Sequence, residues 1–269
     1  NTFDLNDPRA AYANRTDLSD EEISAGLDSL WKNFCVSSNY ELGSVIKPII
    51  VASALESGAV SDSDVFVCDG GEQIGNDYVR CAVYPYAHGT ETLGEVIQNS
   101  CNDGMMAIGR KMGAALLLDY QSRFNFGSRT GIDLPNESSG AIYTLDQMKD
   151  MELASTTFGQ GFTSTMIQEI SAISAVSNGG TYYQPHVVKE IKSQEDGSVL
   201  KTNEGNVLKQ IVSSDVSEKI REYMGMSVTS GTSRKSKVQG YSMGGKTGTA
   251  EILSTEEKDY LVSFIGFAP

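Results

Sequence analysis

Apolar and polar positions along the chain fall into blocks with helical or strand spacing. Ser19 followed by Glu22 is a capping box, in which each side chain accepts from a backbone N–H that the first helical turn leaves free. Behind it Ile23, Leu27, Leu30, Trp31 and Phe34 recur at helical intervals, which predicts an amphipathic helix with Trp31 as a core or groove anchor. Residues 36–43 read as a loop. From Ser44 the chain turns apolar nearly all round, through Ile49, Ile50, Val51, Ala52 and Leu55, and stops at Gly58, a residue suited to a helix C-terminus. A helix of that kind belongs in the core. Pro48 fits only its first turn, where N–H groups have no intrahelical partner, so Ser44 falls at or beside the helix N-terminus.

The remaining pattern is mixed. Residues 60–90 suggest loops with short strands at Val65–Cys68 and Tyr78–Val83. Residues 92–124 are helical with an interruption around Ser100–Gly104, 125–162 are glycine-rich and irregular, and 163–178 form an apolar helix ending at Asn178-Gly179-Gly180. Strand-like pieces occupy 181–212 around a turn at Glu195-Asp196-Gly197, a helix covers about 214–226, and Tyr260–Phe267 reads as a buried strand. No repeat or low-complexity tract is present.

Composition narrows the function classes. With 39% hydrophobic and 21% charged residues over 269 positions, the chain can bury a core of its own. A formal net charge of -14 repels phosphate backbones and argues against nucleic acid as a partner. No run of about 18 apolar residues spans a membrane, and no signal peptide opens the chain at Asn1. The abrupt start at Asn1 and the stop at Phe267-Ala268-Pro269 read as an excerpt of a longer protein. The four cysteines (Cys35, Cys68, Cys81 and Cys101) lack C-x-x-C spacing, and only His88 and His186 accompany them, which argues against a zinc site. Cys68 and Cys81 bracket a turn-rich segment and are either a disulfide pair or two free thiols.

Three short motifs occur in order: Ser44-Val45-Ile46-Lys47, Ser100-Cys101-Asn102 and Lys246-Thr247-Gly248. Each alone is weak, since S-x-x-K recurs at Ser29/Lys32 and Ser198/Lys201 and S-x-N at Ser37/Asn39, where solvated helix or loop faces suffice. Context selects one copy of each. A serine hydroxyl needs a nearby base to become a nucleophile. Positions i and i+3 share a helix face, so Lys47 is in reach of Ser44. Burial in the most apolar helix of the chain would lower the lysine pKa toward that of a base. The helix N-terminus also presents N–H groups to a developing oxyanion. In the third motif Thr247 and Thr249 alternate with Lys246 and Gly248, so two hydroxyls share a strand face near an ammonium, an arrangement that suits a carboxylate. The string Gly240–Thr247 also matches the bare phosphate-loop pattern G-x-x-x-x-G-K-[ST], but its strand-like context and the trailing Gly248-Thr249-Ala250 argue against that reading.

S-x-x-K, S-x-N and K-T-G in this order form the motif set of penicillin-binding proteins and serine β-lactamases. The surroundings resemble class B, monofunctional penicillin-binding proteins: Glu41–Pro48, His88-Gly89 ahead of Asn99–Asn102, Thr130–Pro135, Phe158-Gly159-Gln160-Gly161 and Gly244–Ala250. The cysteine in the second motif resembles the division or sporulation branch. The resemblance covers nearly the whole chain. It implies an α+β, penicillin-binding/β-lactamase-like fold, with an antiparallel central sheet flanked by helices and an all-helical subdomain. One transpeptidase domain would then occupy 1–269, truncated at both ends, with a helical and active-site-helix region at roughly 15–180 and a sheet region at roughly 181–269. The sheet would keep the Lys246 and Tyr260 strands and lack three others, leaving an exposed edge.

The same resemblance implies the chemistry. Ser44 would attack the penultimate D-alanine carbonyl of a peptidoglycan stem peptide, with Lys47 as base. Ser100 would pass a proton to the leaving D-alanine, and Asn102 would hold the substrate amide. Lys246 would set the electrostatics. Thr247, Gly248 and Thr249 would bind the substrate, the two threonines at its terminal carboxylate, with the backbone N–H groups of Ser44 and Thr249 forming the oxyanion hole. No metal or organic cofactor is implied. β-Lactams would acylate Ser44, cell-wall synthesis proteins would be partners, and the full-length protein would be membrane-anchored and extracytoplasmic. A D-alanyl-D-alanine carboxypeptidase or a serine β-lactamase shares the three motifs, although no Glu-x-x-x-Asn segment follows the second one to activate water. A β-lactam receptor and an inactive scaffold are the readings of another class. Cys101, inside the second motif, carries two readings: a disulfide to Cys68 or Cys81 that distorts the site, or a small packing residue. His88 and His186 are expected to be structural.

Overall fold

The computed structural model describes residues 4, 6–12, 14–252 and 259–268. The capping box forms as expected: Ser19 Oγ accepts from the Glu22 N–H and Glu22 Oε2 from the Ser19 N–H, opening α1 (Asp20–Trp31). Trp31 does not anchor a core, because α1 buries no residue and the indole is 52% exposed. The short α2 (Phe34–Ser37) follows, capped by Asn33.

The centre of the molecule is α3 (Lys47–Glu56), entered through a 3-10 turn at Gly43–Ile46. Pro48 sits in its first turn, and every residue from Lys47 to Ala54 is buried. Leu42, Val45, Ile46, Ile49 and Ile50 join the main hydrophobic core around it. β1 (Val65–Cys68) pairs antiparallel with β4 (Gly89–Thr92), and β2 (Gly71–Ile74) with β3 (Asp77–Arg80). The predicted helical stretch is α4 (Leu93–Gln98) and α5 (Asn102–Arg123), separated by a turn at Asn99–Cys101. The stretch expected to be irregular holds a further helix, α6 (Asp150–Thr157), whose two-turn length leaves little periodicity to read. α7 (Met166–Ser177) carries its own capping box from Thr165 to Gln168. Four short strands then pair as β5 (Thr181–Gln184) with β8 (Asn206–Gln210) and β6 (Glu190–Lys192) with β7 (Val199–Thr202). α8 (Ser214–Thr229) leads to β9 (Gly244–Ile252) and β10 (Asp259–Phe267), which pair antiparallel with Lys246 opposite Ile265.

Helices α5, α7 and α8 pack on α3, and β9 crosses α8 and the turn ahead of α3. The β9–β10 ribbon is two-stranded among the described residues, and β10 is not the buried strand its apolar content suggested. Tyr260, Val262 and Phe264, at alternate positions and so on one face, are all exposed. No helix among the described residues is long and apolar enough to cross a membrane.

α7 is tied to the segment before α3 by Tyr40, whose backbone pairs with Ser164 and whose hydroxyl donates to Glu169 Oε2. Burial pushes the Glu169 carboxyl up to about 7. The unfolded chain ionises Glu169 at lower pH than the native one, so folding takes up a proton and stability falls as pH rises through about 7. Glu169→Gln keeps an acceptor for Tyr40 without the charge. Thermal melts should show the variant more stable than wild type at about pH 8, by on the order of 2–3 kcal/mol, and nearly equal at about pH 5.

Candidate active site

Ser44 lies in the 3-10 turn that feeds α3, half-buried, with Gly43 before it at φ +60. The turn is gripped from two sides. The Gly43 N–H donates to Gly159 O at 2.9 Å. A Cβ at Gly43 would stand 2.6 Å from Thr249 O, and one at Gly159 would stand 2.0 Å from Gly43 O. Only glycine permits both approaches at these left-handed backbones. Gly248 serves the same end on β9, where a side chain would collide with Leu42 O and Val45. The backbone flanking Ser44 is thereby pressed against the third motif.

Lys47, on the first turn of α3, points into the core and is fully buried. Its Nζ donates to Ser100 O at 2.7 Å, to Asn102 Oδ1 at 2.7 Å and to Ser100 Oγ at 3.3 Å. Lys246, equally buried, donates from β9 to Ser100 Oγ and Thr247 O, both at 2.9 Å. The Ser100 hydroxyl therefore lies between two lysine amines, and Lys246 comes from 146 residues further along the chain. With both lone pairs taken by amine donors, its own proton is free to be given away. Ser100 holds this place in a left-handed conformation, φ +58, at a cost of about 1–3 kcal/mol. The bonds Ser100 N–H to Ile97 O and Cys101 N–H to Val96 O fix the turn.

Every acceptor around these two amines is neutral. Burial pushes Lys47 down to about 8, partly offset by the nearby Cys101 and Cys81 thiols and the Glu91 and Asp103 carboxyls. Lys246 is pushed well below its ordinary value by burial and then by the positive charge of Lys47. Two amines that resist carrying charge together can exchange a proton through the hydroxyl between them.

The alternation predicted for the third motif is present. Lys246, Gly248 and Ala250 face inward, while Thr247 is half-buried and Thr249 exposed on the outer face. Because the lysine lies within a strand and not at a helix start, no phosphate loop exists at Gly240–Thr247. The structure thus joins Lys47, Ser100, Asn102 and Lys246 by direct hydrogen bonds. It brings the Ser44 turn against Gly248 and Thr249 by backbone contact.

Two supporting groups escaped the sequence reading. Ser233, 1% exposed, accepts the Thr247 N–H at 3.1 Å and the Ser227 hydroxyl at 2.9 Å, holding the start of β9 on α8. Glu41 Oε1 accepts the Gly161 N–H at 2.9 Å and ties the Phe158–Gly161 loop to the Ser44 turn. Ser233 belongs to no spaced motif and no signal in the sequence marks it, whereas Glu41 opens the Glu41–Pro48 segment that carries the resemblance and only its partner Gly161 needed the structure.

The cysteines lack the spacing of a metal site along the chain, yet three of them meet in the fold. Cys68, Cys81 and Cys101 converge with His88, and their ligand atoms all lie within 4.8 Å of one another. All four cysteines are free thiols, and Cys81 Sγ stands 3.9 Å from Cys101 Sγ, beyond the ~2.05 Å of a disulfide bond.

A serine on a buried helix turn, a lysine at i+3, and a second amine sharing a bridging hydroxyl are groups that can carry out serine acyl transfer without histidine. Residues 6–269 match the model of the penicillin binding protein transpeptidase domain, and the chain belongs to that family. It is 40% identical over 242 residues to stage V sporulation protein D of Bacillus subtilis, covering 88% of this chain and 37% of that protein. It is 29% identical over 272 residues to the peptidoglycan D,D-transpeptidase MrdA of Acinetobacter baumannii, covering 90% of this chain and 39% of that protein. Penicillin binding protein 3 of Mycobacterium tuberculosis complexed with aztreonam superposes with TM-score 0.79 at 29% identity, over 88% of this chain and 55% of that one. The D,D-transpeptidase domain of an Eggerthella lenta peptidoglycan glycosyltransferase gives 0.81 at 26% identity, over 93% and 62%. The fold is the α+β penicillin-binding type, as expected. The chain spans about two fifths of the length of the curated relatives it matches.

Removing the Ser233 hydroxyl leaves the Thr247 N–H and the Ser227 hydroxyl without their partner in a dry site. Ser233→Ala should cost about 1–3 kcal/mol in a denaturant titration. Ser236→Ala, which removes a partly buried hydroxyl bonded only to Ser233 O, should cost less.

Proposed function

We propose that this domain is a serine D,D-transpeptidase that cross-links peptidoglycan stem peptides through an acyl-enzyme on Ser44. The single observation behind this reading is the Ser100 hydroxyl bridged by Lys47 and Lys246 beside the Ser44 turn. Neutral Lys47 takes the Ser44 proton as Oγ attacks the penultimate D-alanine carbonyl. The tetrahedral oxyanion is met by the N–H groups of Ser44 and Thr249, which the glycine contacts bring close. Ser100 gives its proton to the departing D-alanine nitrogen and regains one from the lysine pair. Asn102 orients the substrate amide, and Thr247, Gly248 and Thr249 receive the terminal carboxylate. An acceptor amine of a second strand then resolves the ester. A neighbouring structure is complexed with the β-lactam aztreonam, which supports β-lactam binding by this domain. The names of the relatives support peptidoglycan as the substrate and a division or sporulation role. By the same likeness the full-length protein is anchored in the cell membrane, faces the extracytoplasmic side and works with other cell-wall synthesis proteins.

Labelling with a fluorescent penicillin tests the nucleophile. Wild type should hold a stable covalent label and Ser44→Ala none. A label that turns over rapidly would identify a β-lactamase, and a folded wild type that takes no label would identify a scaffold. The base is tested by pH. Because burial holds Lys47 at about 8, the acylation rate should climb with pH toward about 8 and flatten above it. Lys47→Arg, which cannot shed its proton, should lower the rate by at least about a hundredfold at every pH.

A further inference from the structure

The Cys68, Cys81, His88 and Cys101 cluster plays no part in the acyl-transfer chemistry. Its members come from four separate places: the end of β1, the turn after β3, the residue before β4, and the N-cap of α5. The three thiols are buried and the imidazole is only 13% exposed. Zinc–thiolate bonds of about 2.3 Å in a tetrahedron put two sulfurs about 3.8 Å apart, and a sulfur and an imidazole nitrogen about 3.6 Å apart. Here Cys81 Sγ is 3.9 Å from Cys101 Sγ and 3.7 Å from His88 Nδ1. The spacing is already that of a coordination shell.

The surroundings also favour a cation. Glu91 Oε2 and Asp103 Oδ1 are both buried without a partner at hydrogen-bond distance among the described residues, and the two carboxyls lie against cluster thiols, Glu91 against Cys101 and Asp103 against Cys68. Glu91 Oε2 stands 3.7 Å from His88 Nδ1, on the same side of the ring as the thiols, and adds a negative charge beside the cluster. The Asn102 N–H donates to Cys81 Sγ and the Gly104 N–H to Cys101 Sγ, each at 3.4 Å. Donors of that kind, at the N-terminus of α5, stabilise sulfur in its thiolate form.

We propose that Cys68, Cys81, His88 and Cys101 form a closed, four-ligand site for a structural zinc ion. Three soft sulfurs and one imidazole in a tetrahedral cage select zinc over magnesium or calcium, and four protein ligands leave no position for substrate. Cys101 lies between Ser100 and Asn102, and Cys81 accepts the Asn102 N–H. The ion therefore rivets the segment 68–101 beneath the second motif and holds the left-handed Ser100 turn in register with both lysines. Its effect on catalysis is one of positioning.

The test begins with protein purified under reducing conditions, with metal measured by mass spectrometry. Wild type and Cys35→Ser, which changes the exposed cysteine outside the cluster, should each hold about one zinc per chain. Cys81→Ser and His88→Asn should hold less than about a tenth of that. Co²⁺ exchanged into wild type should give thiolate-to-metal charge-transfer bands and the intense visible bands of a tetrahedral ion, a readout that stands even where a variant fails to fold. Chelation of the zinc should lower the melting temperature and slow penicillin acylation several-fold, and added Zn²⁺ should restore both. The proposal is overturned if wild type carries less than about a tenth of a zinc and gives no tetrahedral Co²⁺ spectrum. It is overturned equally whether thiol titration then counts four free cysteines or two with a Cys81–Cys101 disulfide. Zinc content and the Co²⁺ spectrum are read without regard to whether Ser44 is acylated, so the metal site and the transpeptidase reading can fail separately.

Discussion

Two lysine amines buried within reach of one serine hydroxyl, with no carboxylate among their acceptors, are the constraint around which this molecule is arranged. An unpaired ammonium in a dry interior is costly, and proteins relieve the cost by lowering its pKa. That relief is also what makes a lysine useful as a base. The rest of the site keeps the two amines dry and close. The helix α3 places Lys47 in the core, β9 delivers Lys246 from the other side, and a strained turn holds Ser100 between them.

Each support of that arrangement is a close backbone approach. Gly43, Gly159 and Gly248 let the Ser44 turn, the Phe158–Gly161 loop and β9 meet with no side chain between them. Glu41 and Ser233 then fix two of these segments by accepting backbone N–H groups. Ser44 lies half-buried at this layered contact, and the two lysine amines lie fully buried beneath it. Preorganisation of this sort is where acyl-transfer enzymes gain most of their electrostatic advantage.

The Cys–His cluster extends the same logic one layer outward. The second motif takes the last two residues of the turn between α4 and α5 and the first residue of α5, and its middle residue joins the thiol cluster. Ser100 and Asn102 thus depend on what holds Cys101. β10 leaves Tyr260, Val262 and Phe264 exposed, so β9 is supported by pairing with β10 and by packing on α8.

Much of this was legible in the sequence because it is local. The capping box at Ser19, the Pro48 position, the buried α3 and the i, i+3 pairing of Ser44 with Lys47 follow from spacing and backbone sterics within a few residues. The three motifs named Lys47, Ser100, Asn102 and Lys246 together, and the family resemblance assigned their roles. Tertiary structure alone decided that Trp31 stays exposed and that one face of β10 stays uncovered, since burial depends on what packs against a residue and not on its own hydropathy. It also decided that Ser233 and Glu41 serve the site and that three unpatterned cysteines meet one histidine. Those outcomes depend on chain segments far apart in sequence folding to within a few ångströms, and no periodicity along one segment encodes the distance to another.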